Sequence, residues 1–317
     1  MISNTSSGIV IVDKPAGMTS ARLVARLKTL FSARKAGHTG TLDPFATGVM
    51  VCCINRATKL ADLFLHRNKA YVATLRLGIE TDTMDVTGTI LAHRHIQWEQ
   101  AAAHFPDTRL ERIFKGFEGP MAQLPPVYSA LKHKGVPLYK LARQGRPVQK
   151  PPRKIEIFKI SILDIALPDI HFEVSCSAGT YIRTLCHDIG QTLGCGAFLK
   201  ALRRVESCGF SIDDACSLDE LEALAAPEER QKTLISMACG LHGMPTVMVD
   251  PPVIDKIVCG QPLQLDDLGW TPDLPEDELI KIVDFKGQLI ALVRLNSARK
   301  RIEYRGVFIS PPTKSSS

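Results

Sequence analysis

Apolar and polar residues alternate or repeat along this chain in ways that predict both strands and helices. Gly8 to Asp13 (GIVIVD) is a short apolar run rich in Ile and Val, which reads as a buried strand. Lys14-Pro15-Ala16-Gly17 turns the chain, and Thr19 or Ser20 then caps a helix with Leu23, Leu27 and Leu30 on one face and Arg22, Arg26 and Lys28 on the other. Residues 36–48 (AGHTGTLDPFATG) form turns. Tyr71, Ala73, Leu75 and Leu77 lie on one side of a strand. Glu99 to Phe105 opens a short helix, and strands are expected at about 155–163 and 171–176. Thr180 is placed to cap a helix in which Ile182, Leu185, Ile189 and Leu193 repeat, with Gly194 ending it. Asp213 to Glu229 is acidic and helical in part. Short strands follow residue 242, with a hairpin over 278–294 turning at Lys286-Gly287 and a last strand over 301–309.

These elements give an α+β fold: a mixed, largely antiparallel central sheet flanked by helices, with a smaller β-rich unit behind it. The expected division is a large domain over 1–242, a small one over 243–310 and a disordered tail over 311–317.

Composition narrows the class. Hydrophobic residues are 45% and charged residues 23%, as in a protein with a real core. The chain lacks an apolar run of roughly eighteen residues and a recognisable secretory leader, so a cytoplasmic protein is expected. The nine cysteines are irregularly spaced without a C-x-x-C pair, and the nine histidines show no H-x-E or H-E-x-x-H pattern. Neither a disulfide framework nor a metal is expected, and the thiols read as buried or inert.

The net charge of +6 is modest, but its distribution is not even. Gly119 to Ile155 contains no acid, while Lys132, Lys134, Lys140, Arg143, Arg146, Lys150, Arg153 and Lys154 are basic. Residues 127–154 also interrupt the sheet pattern, so they read as an inserted basic arm suited to a polyanion.

Asp43 stands in G-T-L-D-P, among glycines that let another backbone come close, and Pro44 biases it away from helix. Taken alone, it is more readily a turn residue than a reactive carboxylate, and His38 in the same loop is more readily structural than catalytic.

The ordered set of motifs carries more. The chain reads G-I-V-I-V-D-K-P-A-G-M-T-S, A-G-H-T-G-T-L-D-P-F-A-T-G-V-M, K-A-Y-V-A-T-L-R-L-G and T-D-T-M-D-V-T-G. Then come Q-L-P-P-V-Y-S-A-L-K, L-Y-K-L-A-R-Q-G, C-S-A-G-T-Y-I-R-T-L and G-C-G-A-F-L-K-A-L-R-R. From about Gly8 to Gly209 this resembles the TruB family of bacterial tRNA pseudouridine-55 synthases.

The resemblance implies a pseudouridine synthase fold and an isomerase that needs neither metal nor organic cofactor. It makes Asp43 the catalytic carboxylate, Arg183 the arginine that pairs with it and Tyr71 the ring that stacks on the target base. It puts Tyr181 and Leu202 in the lining of the base pocket and His38 against the rearranged RNA loop. Asp85 and Lys132 fall at the pocket edge, and Lys14 among the RNA-binding residues. Ala178 departs from the Lys or Ser that relatives often carry before G-T-Y-I-R. The partner implied is the T stem-loop of tRNA, gripped by the basic arm, with the C-terminal strands as a PUA-like RNA-binding domain and the chain a monomer. Two other readings are an RNA-binding or tRNA-folding protein in which catalysis is secondary, and a glycosidase-like hydrolase using Asp43 and Asp85.

Overall fold

The computed structural model describes residues 6–98, 105–269, 278–296 and 301–309. Strand β1 (Gly8–Lys14), helix α1 (Ser20–Leu30), β2 (Ala36–His38), β3 (Thr47–Ile54), α2 (Ala61–Leu65) and β4 (Lys69–Leu77) come first. A hairpin of β5 (Ile79–Thr81) and β6 (Ile90–His93) follows, then α3 (Asp107–Lys115) and β7 (Gly119–Gln123). The inserted arm holds β8 (Lys132–His133), β9 (Val136–Pro137) and α4 (Leu138–Arg143). The chain returns through β10 (Arg153–Ala166), β11 (Asp169–Cys176), α5 (Ile182–Leu193), β12 (Ala197–Ser207), β13 (Phe210–Ser211), β14 (Cys216–Ser217), α6 (Leu218–Ala223) and α7 (Pro227–Lys232). The last elements are β15 (Thr246–Met248), α8 (Pro251–Val258), β16 (Leu279–Val283), β17 (Leu289–Asn296) and β18 (Arg301–Val307).

The large sheet runs β14-β1-β3-β12-β4-β11-β10-β7, with β2 beside β3 and β13 beside β12. Its pairings are antiparallel except β1 with β14 and β3 with β12. This is the mixed, largely antiparallel sheet expected. One face of β1 and β3 presents Val10, Val12, Met50, Cys52 and Ile54 to Leu23 and Leu27 of α1. Their other face presents Ile9, Ile11, Val49, Val51 and Cys53 to Val283, Leu289, Leu292 and Phe308 of the C-terminal unit. Burial on both sides is why these strands read as continuous apolar runs. Across β4, β10, β11 and β12, the core is closed by α3 and α5.

The small sheet runs β15-β16-β17-β18. It is tied to the large domain by Arg56 Nη1 donating to Phe308 O at 2.9 Å and Lys59 Nζ to Val307 O at 2.8 Å. Gly287, at φ +73°, turns its hairpin where the sequence placed the turn.

Several details differ from the expectations. Thr19 does cap α1, accepting from Arg22 N at 3.1 Å, but Thr180 does not cap α5. Its hydroxyl turns back to Ser177 O at 3.0 Å, and Tyr181 occupies the N-cap position without a side-chain cap bond. The arm is shorter than 127–154, because Arg153 and Lys154 already pair with Gln123 and Ala122 as the start of β10. Helix α8 went unforeseen. The helix start expected from Glu99 falls outside the described residues except at Phe105, and so does the tail over 311–317.

Candidate active site

Asp43 lies in the loop between β2 and β3, and that loop is held from several sides. Ser20, the first residue of α1, accepts from Leu42 N at 2.9 Å and donates to Leu42 O at 2.9 Å. Gly17 N donates to Pro44 O at 2.8 Å, and Ala46 N to Asp43 O at 3.1 Å, closing a turn on the carboxylate residue. Arg204, 1% exposed on β12, donates to Gly40 O at 3.2 Å and Val49 O at 2.7 Å.

Lys14 corrects an expectation. It was placed among the RNA-binding residues, yet it is fully buried. Its ammonium donates to Pro15 O and Met18 O at 2.8 Å each and to Pro44 O at 3.3 Å. Lys14 therefore braces the loop that presents Asp43. Burial pulls its pKa down to about 8, against the opposing pull of Asp43.

Arg183 enters from the first turn of α5. Its Nη2 donates to Asp43 Oδ1 at 3.3 Å, and its Nε lies 2.9 Å from Asp43 Oδ2. That second approach is out of line for a hydrogen bond, so it acts as a close ion pair. Nη1 faces Asp85 Oδ2 at 3.4 Å and donates to Thr83 O at 3.1 Å, while Nη2 also donates to Tyr128 O at 2.8 Å. The Asp85 carboxylate is saturated on its other oxygen by Thr83 Oγ1 (2.8 Å), Thr87 N (2.9 Å) and Thr87 Oγ1 (2.6 Å). The guanidinium is thus fixed between two carboxylates, one locked away and one facing out. The Arg183 side chain is 4% exposed and that of Asp43 31%, so the carboxylate opens outward from a buried partner.

Desolvation raises the pKa of Asp43 above its ordinary value. Arg183 opposes this, and the like charge of Asp85 reinforces it. The guanidinium alone does not set the balance.

Tyr71, on β4, shares a face with Arg204 of β12, its register partner. The ring is buried in the cluster that holds Leu42, Ala46 and Leu202. Burial pushes the phenol up to about 12 despite a hydrogen bond from Arg204. Burial thus favours the neutral phenol. Leu202 is buried opposite Ala73. On the opposite face of the sheet, Val72, Thr74 and Arg203 line a pocket of about 340 Å³ that Phe45, Val86 and Leu202 also border.

His38 ends β2 and accepts from Gly40 N through Nδ1 at 3.2 Å, its pKa lowered by burial and then by Arg204. Lys132 is exposed on the arm, and no described bond joins it to the Asp43–Arg183 pair. Tyr181 is held twice by Gln123: Gln123 Nε2 donates to Tyr181 O at 3.0 Å, and Tyr181 N donates to Gln123 Oε1 at 2.8 Å. The Arg153 guanidinium lies 4.5 Å over the Tyr181 ring.

Sequence reasoning missed Arg204, Gln123 and the placement of Arg153. Arg204 and Gln123 stand in the quoted G-C-G-A-F-L-K-A-L-R-R and Q-L-P-P-V-Y-S-A-L-K stretches and Arg153 in the basic run, but nothing there singled out the role of any of them. Among the described residues no cluster of three or more His, Cys, Asp or Glu is set to hold a metal ion, and no helix is long and apolar enough to cross a membrane.

The fold is similar to that in a crystal structure of a Cbf5-Nop10-Gar1 complex, with a TM-score of 0.72 and 26% identity over 97% of this chain and 86% of that one. A similar fold occurs in the archaeal box H/ACA sRNP Nop10-Cbf5 complex, at TM-score 0.69. In this fold the Asp43–Arg183 pair lies beside the central mixed sheet, and the sequence comparisons put it in a pseudouridine synthase. The family model for the TruB family pseudouridylate synthase N-terminal domain matches residues 28–182, and that for the tRNA pseudouridylate synthase B C-terminal domain matches 183–240. The chain belongs to the TruB family of pseudouridine synthases. The second matched stretch contains α5 and β12, so it is part of the large sheet and separate from the small one. The tRNA pseudouridine synthase B of Syntrophotalea carbinolica is 44% identical over 95% of this chain and 96% of that protein. Its counterpart from Burkholderia mallei is 39% identical over 93% and 95%.

Proposed function

We propose that this chain converts uridine 55 in the T loop of tRNA to pseudouridine, with Asp43 as the carboxylate that acts on the nucleotide. The observation that carries the reading is the outward-facing Asp43 carboxylate, paired with Arg183 and backed by Asp85. The N1–C1′ bond breaks, the uracil rotates while still bound, and C5 joins C1′. A proton leaves C5 and N1 gains one, so the product is an isomer and no electrons are exchanged.

Asp43 must be ionised to act. Arg183 favours that state and orients the oxygens through charge-assisted contacts. Tyr71 offers an aromatic face for the base, an interaction worth about 1–3 kcal/mol, while Tyr181 and Leu202 close the pocket. Extruding the stacked uridine costs on the order of a few kcal/mol. His38, at the end of the loop bearing Asp43, fills part of the space the base leaves. The arm with Lys132 and Arg143 grips the stem-loop backbone, positioning it without reading its bases. The small sheet of β15–β18 adds a PUA-like RNA-binding surface, and a monomer in the cytoplasm meets its unmodified tRNA there. The family's relatives named tRNA pseudouridine synthase B support the substrate.

The test is incubation with unmodified tRNA followed by carbodiimide mapping of pseudouridine. One modified uridine in the T loop is expected. Release of free uracil, or modification elsewhere only, would overturn the reading.

A further inference from the structure

The two strands that bound the inserted arm both end on Tyr181. Gln123, last in β7, and Arg153, first in β10, are direct register partners, so their side chains project from the same face of the sheet. Gln123 spends its amide on the Tyr181 backbone, whereas Arg153 lays its guanidinium over the Tyr181 ring at 4.5 Å. The site is shaped for that guanidinium. Gly179 stands at φ +89°, and a Cβ there would lie 3.2 Å from Arg153 Cζ.

This stack uses only the face of the guanidinium. Among the described residues no oxygen takes a hydrogen bond from it, and its Nε is buried without a partner. The neighbouring Ser177, Ala178 and Gly179 supply no carboxylate and no other cation. The cations packed against Asp43 and its loop are spent: Arg183 on Asp43 and Asp85, Arg204 on Gly40 and Val49, Lys14 on three carbonyls. A planar fork of unused donors, held by an aromatic ring and a glycine, matches the geometry of a phosphodiester.

We propose that Arg153 is a phosphate-binding residue that takes a backbone phosphate of the RNA beside the pocket, held for this by Tyr181. The inference rests on the RNA substrate proposed above. It differs from the general grip of the arm, because Arg153 belongs to the sheet and should engage one fixed phosphate.

The test uses the full-length chain, a synthetic T stem-loop and a series in which single phosphates are replaced by neutral methylphosphonates. Arg153→Gln should weaken binding about tenfold and reduce the slope of log affinity against log salt by about 0.7. Arg153→Lys, which keeps the charge, should retain most of that slope. One methylphosphonate position should weaken the wild-type protein while leaving Arg153→Gln unaffected. An unchanged salt slope in Arg153→Gln, or no phosphate position showing that coupling, would overturn the proposal and leave Arg153 as packing for Tyr181. Failure of the wild-type protein to bind the stem-loop would instead contradict the RNA substrate itself.

Discussion

The side-chain amide of Gln123 closes a two-way hydrogen bond with the backbone of Tyr181, at 3.0 and 2.8 Å. It stands in for a strand partner where β11 has ended and α5 has not begun, and it fixes the residue two positions before Arg183. Replacing it by Leu keeps the volume but leaves the Tyr181 N–H unmet and its C=O with only the helix bond from Leu185 N. Gln123→Leu should cost about 2 kcal/mol of stability and lower kcat about tenfold or more through misplacement of Arg183. Chemical denaturation and single-turnover kinetics check the two effects, and loss of stability at unchanged kcat would contradict the link.

The acid side of the pH–rate profile reports on Asp43. Burial raises its pKa, Arg183 lowers it and Asp85 raises it again, with a net upward shift. Because the ionised form is the active one, activity should climb with pH through a value above the ordinary 3.8. Asp85→Asn removes a like charge, so its acid limb should move to lower pH even as its rate falls. The sign for stability is opposite. A carboxylate raised in the folded state stabilises most when protonated, so the advantage of wild type over Asp43→Asn should shrink as pH rises through that value.

Lys14 offers a second titration. Its folded pKa of about 8 lies below the model-compound value of 10.5, so between these the unfolded chain binds more protons. Stability contributed by Lys14 is therefore greatest above 10.5 and is lost as pH falls toward 8. Lys14→Met should be destabilised at all pH values, because three carbonyls lose their donor, and the deficit should widen from pH 8 to 10.5. A deficit that narrows over that range would contradict the burial of the amine.

Strands β1 and β4 and the helices α1 and α5 were legible because each shows a clear apolar pattern between turn residues. Strand β3 was not. Val49 to Ile54 is apolar throughout, as β1 is, but Pro15 and Gly17 close β1 whereas no Gly or Pro separates β3 from the residues of α2 that follow. Strand β12 was hidden differently. Irregularities between Leu199 and Ala201 and between Arg204 and Glu206 shift its phase, and the fully buried Arg204 looks like a surface charge in the sequence. Asp43, Arg183 and Asp85 were named from motifs, but their sharing of one guanidinium depends on loops more than a hundred residues apart in the case of Asp43. Gln123 opens the quoted Q-L-P-P-V-Y-S-A-L-K stretch, but nothing in it points to a main-chain partner 58 residues away.

The most direct measurement is pseudouridine formation on unmodified tRNA by wild type and by Asp43→Asn, alongside the RNA affinity of each. Asn keeps the size of the side chain and removes only its charge, while Arg183 keeps Asp85 as a partner. Conversion of the T-loop uridine should fall by about a thousandfold or more, with tRNA affinity changed less than about threefold. Conversion by Asp43→Asn near the wild-type rate would contradict the account.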